Sequence, residues 1–78
     1  MKTVDLTTIE IFKTNVNDPE SASAIIKRLE ATFPSYLFNF DLQDCDRILR
    51  VESITGQVNT KDLIAMVKEE KVNIEILE

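Results

Sequence analysis

Apolar and polar residues alternate along this chain with two different periods, and each period recurs in both halves. In the first stretch, Ile9 and Ile11 flank Glu10, a period of two that is typical of a half-buried strand. Phe12 is out of this phase, so it either lies on the other side of the sheet or marks a bulge that shifts the phase. The pattern leaves both possibilities open.

A helix is predicted to follow this strand. Asp18 is a preferred N-cap residue, Pro19 suits the first helical position, and Glu20 lies near the positive end of the helix dipole. Apolar residues then recur every three or four positions and predict one buried stripe, made of Ala22, Ile25, Ile26, Leu29 and Phe33. Pro34 disfavours helical angles at the preceding residue and is expected to end the helix.

Two more alternating stretches predict a hairpin. In the first, one face carries mostly aromatic residues and is expected to face the core: Tyr36, Phe38, Phe40 and Leu42. The polar segment 43–46 is short enough for a hairpin connection, and alternation resumes over 47–54 with Leu49 and Val51 in phase. These two strands are predicted to pair antiparallel.

The second half repeats the pattern of the first. Gly56 ends the third strand, and Asn59 or Thr60 is predicted to cap a second helix. The buried stripe of that helix is predicted to contain Leu63, Ile64 and Val67. Residues 72–77 alternate again and predict a final strand.

This order of elements predicts an α+β fold, a ferredoxin-like βαββαβ sandwich with two helices on one face of a four-stranded antiparallel sheet. Right-handed crossovers would place the first and third strands centrally and the second and fourth strands at the edges. One sheet face would remain open. A chain of 78 residues is expected to form a single domain, 1–78, that buries roughly 60% of its unfolded surface.

Charge and residue usage exclude several classes of function. The net charge of −5 disfavours nucleic acid and anionic membrane surfaces as partners, and no apolar run is long enough to cross a bilayer. The absence of histidine removes the commonest general base and transition-metal ligand, so we expect neither catalysis nor a zinc site within one chain. The acidic Asp5 interrupts segment 1–6 and the single Cys45 closes no internal disulfide, which together predict a cytoplasmic protein.

The span 8–77 resembles the heavy-metal-associated domain of copper chaperones and metal-pumping ATPases. The resemblance rests on the strand leading to Val16, the helix running to Lys27-Arg28-Leu29, and the strands Phe38-Asn39-Phe40-Asp41-Leu42 and Arg47-Ile48-Leu49-Arg50-Val51. The diagnostic motif of that family is Met-x-Cys-x-x-Cys, which falls here on Val16, Asp18 and Ser21. Both soft thiolate ligands are therefore replaced, and the resemblance implies a metal-binding fold without its metal site.

Each remaining cluster has a structural alternative to a functional interpretation. Asp18 and Ser21 offer oxygen ligands to a hard cation, but a helix cap requires the same residue types. Asp41, Asp44 and Asp46 lack the glycine and terminal glutamate of an EF-hand, so we expect a solvated hairpin tip. Cys45 lies between two aspartates, which disfavour its thiolate.

The basic and aromatic residues also have structural alternatives to a functional role. Lys13, Arg47 and Arg50 would suit an anionic ligand, but we expect them to be cross-strand partners of acidic residues, namely Glu10, Glu52 and Glu75. Tyr36, Phe38 and Phe40 are similar to the stacking aromatics of RNA-binding sheets but lack the accompanying basic signature, so we expect them in the core.

These observations favour a non-enzymatic interaction module without cofactor, catalytic or metal-binding residues, which meets a protein partner or a second copy through its open sheet face or an edge strand. A first alternative is weak heavy-metal binding shared between chains, through two copies of Cys45 or through Asp18 and a partner's ligand. A second alternative is a small-ligand sensor like the ACT modules, although no glycine lies in the loop before the first helix.

Overall fold

The computed structural model describes residues 8–54 and 56–77. Six elements follow the predicted order, with the bounds β1 (Thr8–Thr14), α1 (Pro19–Thr32), β2 (Tyr36–Asp41), β3 (Ile48–Ser53), α2 (Thr60–Glu69) and β4 (Ile74–Ile76). The α+β class is thereby confirmed. Within the two described ranges, neither helix has the length and apolar character needed to cross a membrane. Segment 1–6, in which we expect no export signal, lies outside these ranges.

The four strands form one sheet in the order β2-β3-β1-β4. Every neighbouring pair is antiparallel. β1 and β3 are therefore the central strands of this sheet, and β2 and β4 are its edge strands.

The phase of β1 resolves the choice that the pattern left open. Its pairing with β3 is continuous from Thr8 to Phe12, so Phe12 lies on the opposite side of the sheet from Ile11 and not at a bulge within this pairing. Phe12 is completely buried, whereas 43% of Ile9 is exposed. The sequence pattern therefore identified the wrong residues as the buried side of β1.

The core lies between the two helices and the Phe12 side of the sheet. Both helices bury most of their predicted stripes there, whereas Ile26, Phe33 and Ile64 are only half-buried. Its fully or almost fully buried apolar residues are Phe12, Val16, Ala22, Ile25, Leu29, Leu49, Val51, Leu63, Val67 and Ile74. Arg28 of α1 also binds Glu69 of α2 at 2.7 Å and Glu70 just beyond it, which ties the helices together at the surface.

Local backbone conformations explain where several elements end. Phe33, just before Pro34, leaves the helical region with φ −123° and ends α1, as predicted. Arg47 has φ 47° in the left-handed region, and β3 begins one residue later than predicted for this reason. Lys71 has φ 61° just after α2. β4 is shorter than the alternating segment 72–77 that predicted it.

Truncation of Phe12 provides a test of the strand phase. Phe12→Ala removes a completely buried ring and is expected to lower the free energy of unfolding by about 3–5 kcal/mol. Ile9→Ala, at an exposed position of the same strand, should cost much less. Urea unfolding followed by circular dichroism measures both. Equal losses for the two variants would contradict the observed phase, and Phe12→Leu provides a milder truncation if the alanine variant does not fold.

Candidate functional site

The loop between β1 and α1, where the resemblance would place a metal-binding motif, serves as a helix start. The Asp18 carboxylate accepts a hydrogen bond from the Ser21 amide at 2.9 Å, and the Asp18 carbonyl accepts one from the Ala22 amide at 3.2 Å. Hydrogen bonds from Ser21 lower the pKa of the Asp18 carboxyl group. The bond from the Ser21 backbone amide has the larger effect, and the bond from the Ser21 side chain has the smaller one. Val16, two residues before Asp18, is buried in the core, with only 3% of its surface exposed. The predicted capping role of Asp18 is confirmed.

The hairpin between β2 and β3 brings together Asp44, Cys45 and Asp46, whose side-chain ligand atoms all lie within 4.8 Å of one another. Two carboxylates at this tip bind amides two residues ahead: Asp41 accepts from Gln43 at 3.2 Å and Asp44 from Asp46 at 2.9 Å. Such bonds stabilise tight turns. The Cys45 side chain is exposed. Turn formation accounts for Asp41 and Asp44, whereas the Asp46 carboxylate forms an ion pair with Lys13.

The end of β1 anchors both neighbouring loops. The buried Thr14 hydroxyl donates to the Arg47 carbonyl at 2.6 Å and accepts from the Val16 amide at 3.2 Å. The Thr14 amide donates to the Asp46 carbonyl at 3.1 Å. The adjacent Asn15 side chain accepts from the Asn73 amide at 3.0 Å, which attaches the segment before β4.

The basic residues do not form the predicted set of cross-strand pairs. Lys13 lies opposite Glu75, but its ammonium group forms its ion pair with Asp46, at 3.9 Å. The Arg47 guanidinium donates to the Leu42 carbonyl at 3.4 Å, because Arg47 lies in the hairpin and not in β3.

Arg50 also departs from the predicted pairing. It lies opposite Ile11 and Asn39, both uncharged. Glu10, a proposed partner, lies opposite Val51 on the other side of the sheet from Arg50. The cross-strand interpretation is therefore wrong for Arg47 and Arg50, and the three basic side chains do not converge on one partner.

The aromatic residues of β2 contact the core, as predicted. Tyr36, Phe38 and Phe40 are half-buried against it. Tyr36 stacks on Phe33 with ring centroids 5.3 Å apart, and its hydroxyl accepts from the Asn59 amide at 2.9 Å. The Asn59 side chain in turn accepts from the Asp62 amide, so Asn59 caps α2 rather than Thr60.

The other side of the sheet is what we call the open face. Cross-strand pairing places ten described residues on it: Ile9, Ile11, Lys13, Leu37, Asn39, Asp41, Ile48, Arg50, Glu52 and Glu75. Neither helix covers this face, and Leu37 is 62% exposed there. A shallow depression on it is bordered by Leu37, Asn39, Arg50 and Glu52. The open face thus combines exposed aliphatic side chains with charges of both signs.

Sequence reasoning overlooked Thr14 as a buried residue and did not single out Leu37 as an exposed apolar residue of the outer face. Thr14 lies two residues after Phe12 and therefore on the same side of β1. This spacing is the signal that would have identified Thr14 as buried. Leu37 is an apolar residue out of phase with the aromatic side of β2, and such a residue must face away from the core. Both signals depend on knowing which phase of each strand is buried.

The charge of the Asp18 cap should make folding stability pH-dependent. Because folding lowers the pKa of Asp18, its charge stabilises the fold fully above the ordinary Asp pKa of about 3.9, and this contribution is lost as the pH falls through the lowered pKa. Asp18→Asn keeps a capping oxygen without the charge. Thermal unfolding from pH 2 to pH 7 should show the wild type more stable than Asp18→Asn at neutral pH, with the difference vanishing in acid. A difference independent of pH would contradict this role.

Loss of the Thr14 hydroxyl should destabilise the end of β1. Thr14→Val keeps the shape but removes the bonds to the Arg47 carbonyl and the Val16 amide, which is expected to cost about 1–3 kcal/mol of unfolding free energy. Thr32→Val is the matched control, because the exposed Thr32 hydroxyl bonds only within α1, and it should change stability by less than about 0.5 kcal/mol. Urea unfolding measures both. Equal effects would show that the Thr14 bonds add nothing to the fold.

The described residues thus present a capped loop, a turn-forming acidic hairpin and an open face. The chain matches no protein-family model and no curated protein.

Proposed function

We propose that this chain is a non-catalytic interaction domain that binds another polypeptide, and that it is a diverged relative of the heavy-metal-associated domains. The proposal includes the ferredoxin-like arrangement. Read from its other edge, the strand order is β4-β1-β3-β2, with antiparallel neighbours and both helices packed on the same side. This is the order that two right-handed crossovers produce in a βαββαβ chain.

The loop before α1 supports the loss of soft-metal binding in this relative. Asp18 and Ser21 occupy the two cysteine positions, and the Asp18 carboxylate already accepts the Ser21 amide. Copper in its reduced state prefers thiolates over a carboxylate and a hydroxyl. The one thiol of the chain, Cys45, lies in a different loop. A reducing cytoplasmic location is also part of the proposal, because a single cysteine requires no oxidising compartment.

The observation that carries the interaction proposal is the aliphatic exposure on the open face. Ile9 and Leu37 are 43% and 62% exposed, and both lie opposite Glu52 of β3, one on each side of it. Exposed apolar residues beside polar ones are typical of surfaces that bind other proteins. Leu37 belongs to the six-residue edge strand β2, whose outer edge offers backbone groups to a bound chain.

Two isoleucines of equal exposure allow a matched test of this surface. Ile9→Lys changes the open face opposite Glu52, and Ile76→Lys changes a residue that is 42% exposed on the helix side of β4. Affinity capture from the source cells, quantified by mass spectrometry, should recover a partner with the wild type and with Ile76→Lys. Ile9→Lys should weaken its binding by about 1.4 kcal/mol or more, which is tenfold in affinity.

Circular dichroism establishes that both variants keep the fold. Equal capture by Ile9→Lys and the wild type would contradict a role for the open face in binding. Loss of the partner in Ile76→Lys alone would indicate a binding surface on the helix side.

A further inference from the structure

The two edges of the sheet differ in how well they are protected from pairing with another strand. β4 has only three residues, and the charged Glu75 is its central one. β2 has six residues, and its only charge, Asp41, is at its last position. β2 contains no lysine, proline or glycine. Short edge strands and charges within them block strand addition, and β2 lacks both protections.

We propose that β2 pairs antiparallel with β2 of a second copy of this chain. The inference rests on the proposed interaction function and identifies the partner. A two-fold axis perpendicular to the sheet would relate the copies, so both pairs of helices would lie on the same side of one continuous eight-stranded sheet, four strands from each copy. The exposed Leu37 then lies beside the joint, where the partner strand covers it.

The alternation of β2 restricts the register of this pairing. Residues directly opposite each other must lie on the same side of the sheet, so one residue must face its own copy, with the axis midway between the two copies. Two registers pair most of the strand, one centred on Phe38 and one centred on Asn39.

The charges of the open face select the register centred on Phe38. Centring on Asn39 would place Asp41 opposite Leu37, against an apolar side chain and in the same cross-strand row as Glu52. Centring on Phe38 places Asp41 opposite Ser35, an exposed residue outside β2. The carboxylate then stays in solvent and meets no like charge on the facing strand.

The same register joins side chains that favour pairing. Phe38 lies opposite its own copy, and Tyr36 lies opposite Phe40, which gives three aromatic pairs on the helix side. Leu37 lies opposite Asn39 on the open face. The strand is therefore complementary to itself, which identifies a second copy as the occupant of this edge.

Sedimentation equilibrium across a concentration series tests the pairing in reducing buffer, with the full chain and two variants. Leu37→Lys places a lysine at the joint, where it blocks strand addition, at a position exposed enough to preserve the fold. Leu77→Lys makes the same change beside β4, at a residue that is 39% exposed. The wild type and Leu77→Lys should be dimeric at concentrations at which Leu37→Lys is monomeric.

Salt provides an independent readout. Each copy carries a net charge of −5, so long-range repulsion opposes pairing and added salt should strengthen it. A dimer that dissociates in salt, or one that Leu37→Lys leaves intact, would overturn pairing through β2.

Cysteine cross-linking distinguishes the registers. In a Cys45→Ser background, Leu37→Cys mixed with a tagged Asn39→Cys should form a disulfide between the two variants, because directly opposite Cβ atoms lie about 4.5–5.5 Å apart. Asn39→Cys alone should not cross-link to itself, because the two copies of that position lie diagonally, about 7–8 Å apart. Self-cross-linking of Asn39→Cys without the mixed product would overturn the register centred on Phe38.

A chain that stays monomeric at every concentration would overturn self-pairing. It would leave the open-face proposal to be decided by the Ile9→Lys and Ile76→Lys captures, in which the partner is a different protein. The two proposals therefore fail separately.

Discussion

Phe12 and Leu49 lie directly opposite each other on the two central strands, and both are completely buried. This pair determines which side of the sheet faces the helices. Once Phe12 is buried, the alternation of β1 places Thr14 on the same side and directs Ile9 and Ile11 to the other. The core and the open face are thus two consequences of one register, and a shift by one residue would exchange them.

The same register positions the loops. Because Thr14 faces inward, its hydroxyl reaches the Arg47 carbonyl and holds the β2–β3 hairpin at the end of β1. The neighbouring Asn15 side chain accepts the Asn73 amide and holds the segment before β4. Asp18 then caps α1 from the loop that follows β1. The loop between β1 and α1 therefore consists of residues that terminate a strand and start a helix.

Two helices cover only one side of four strands, and this unequal coverage leaves the other side of the sheet exposed. The open face carries Ile9 and Leu37 among charges of both signs, and β2 adds an edge with one charge at its end. Burial on a second polypeptide would remove this apolar surface from water. Such a role requires a stable scaffold and complementary shape, and it requires no reactive group. A chain without histidine and with one exposed cysteine is compatible with it.

The sequence by itself determined the elements and their boundaries at the strongest signals. Asp18 and Pro19 mark the start of α1, Phe33 before Pro34 marks its end, and each predicted stripe contains the buried residues of its helix. These signals are local, because a cap, a proline or a helical period acts within one or two turns of chain. The capping role of Asp18 was predictable for the same reason.

Only the tertiary structure decided which side of β1 is buried and which partners the charged residues have. Ile9, Ile11 and Phe12 are all apolar, so hydrophobicity could not identify the inner one, and the choice depended on where the neighbouring strands and the helices lie. Arg47 lies in the hairpin and not, as was expected from the sequence, in β3, because its own backbone adopts left-handed angles there. Cross-strand partners and sheet sides arise from contacts between segments far apart in the chain, and no local pattern contains that information.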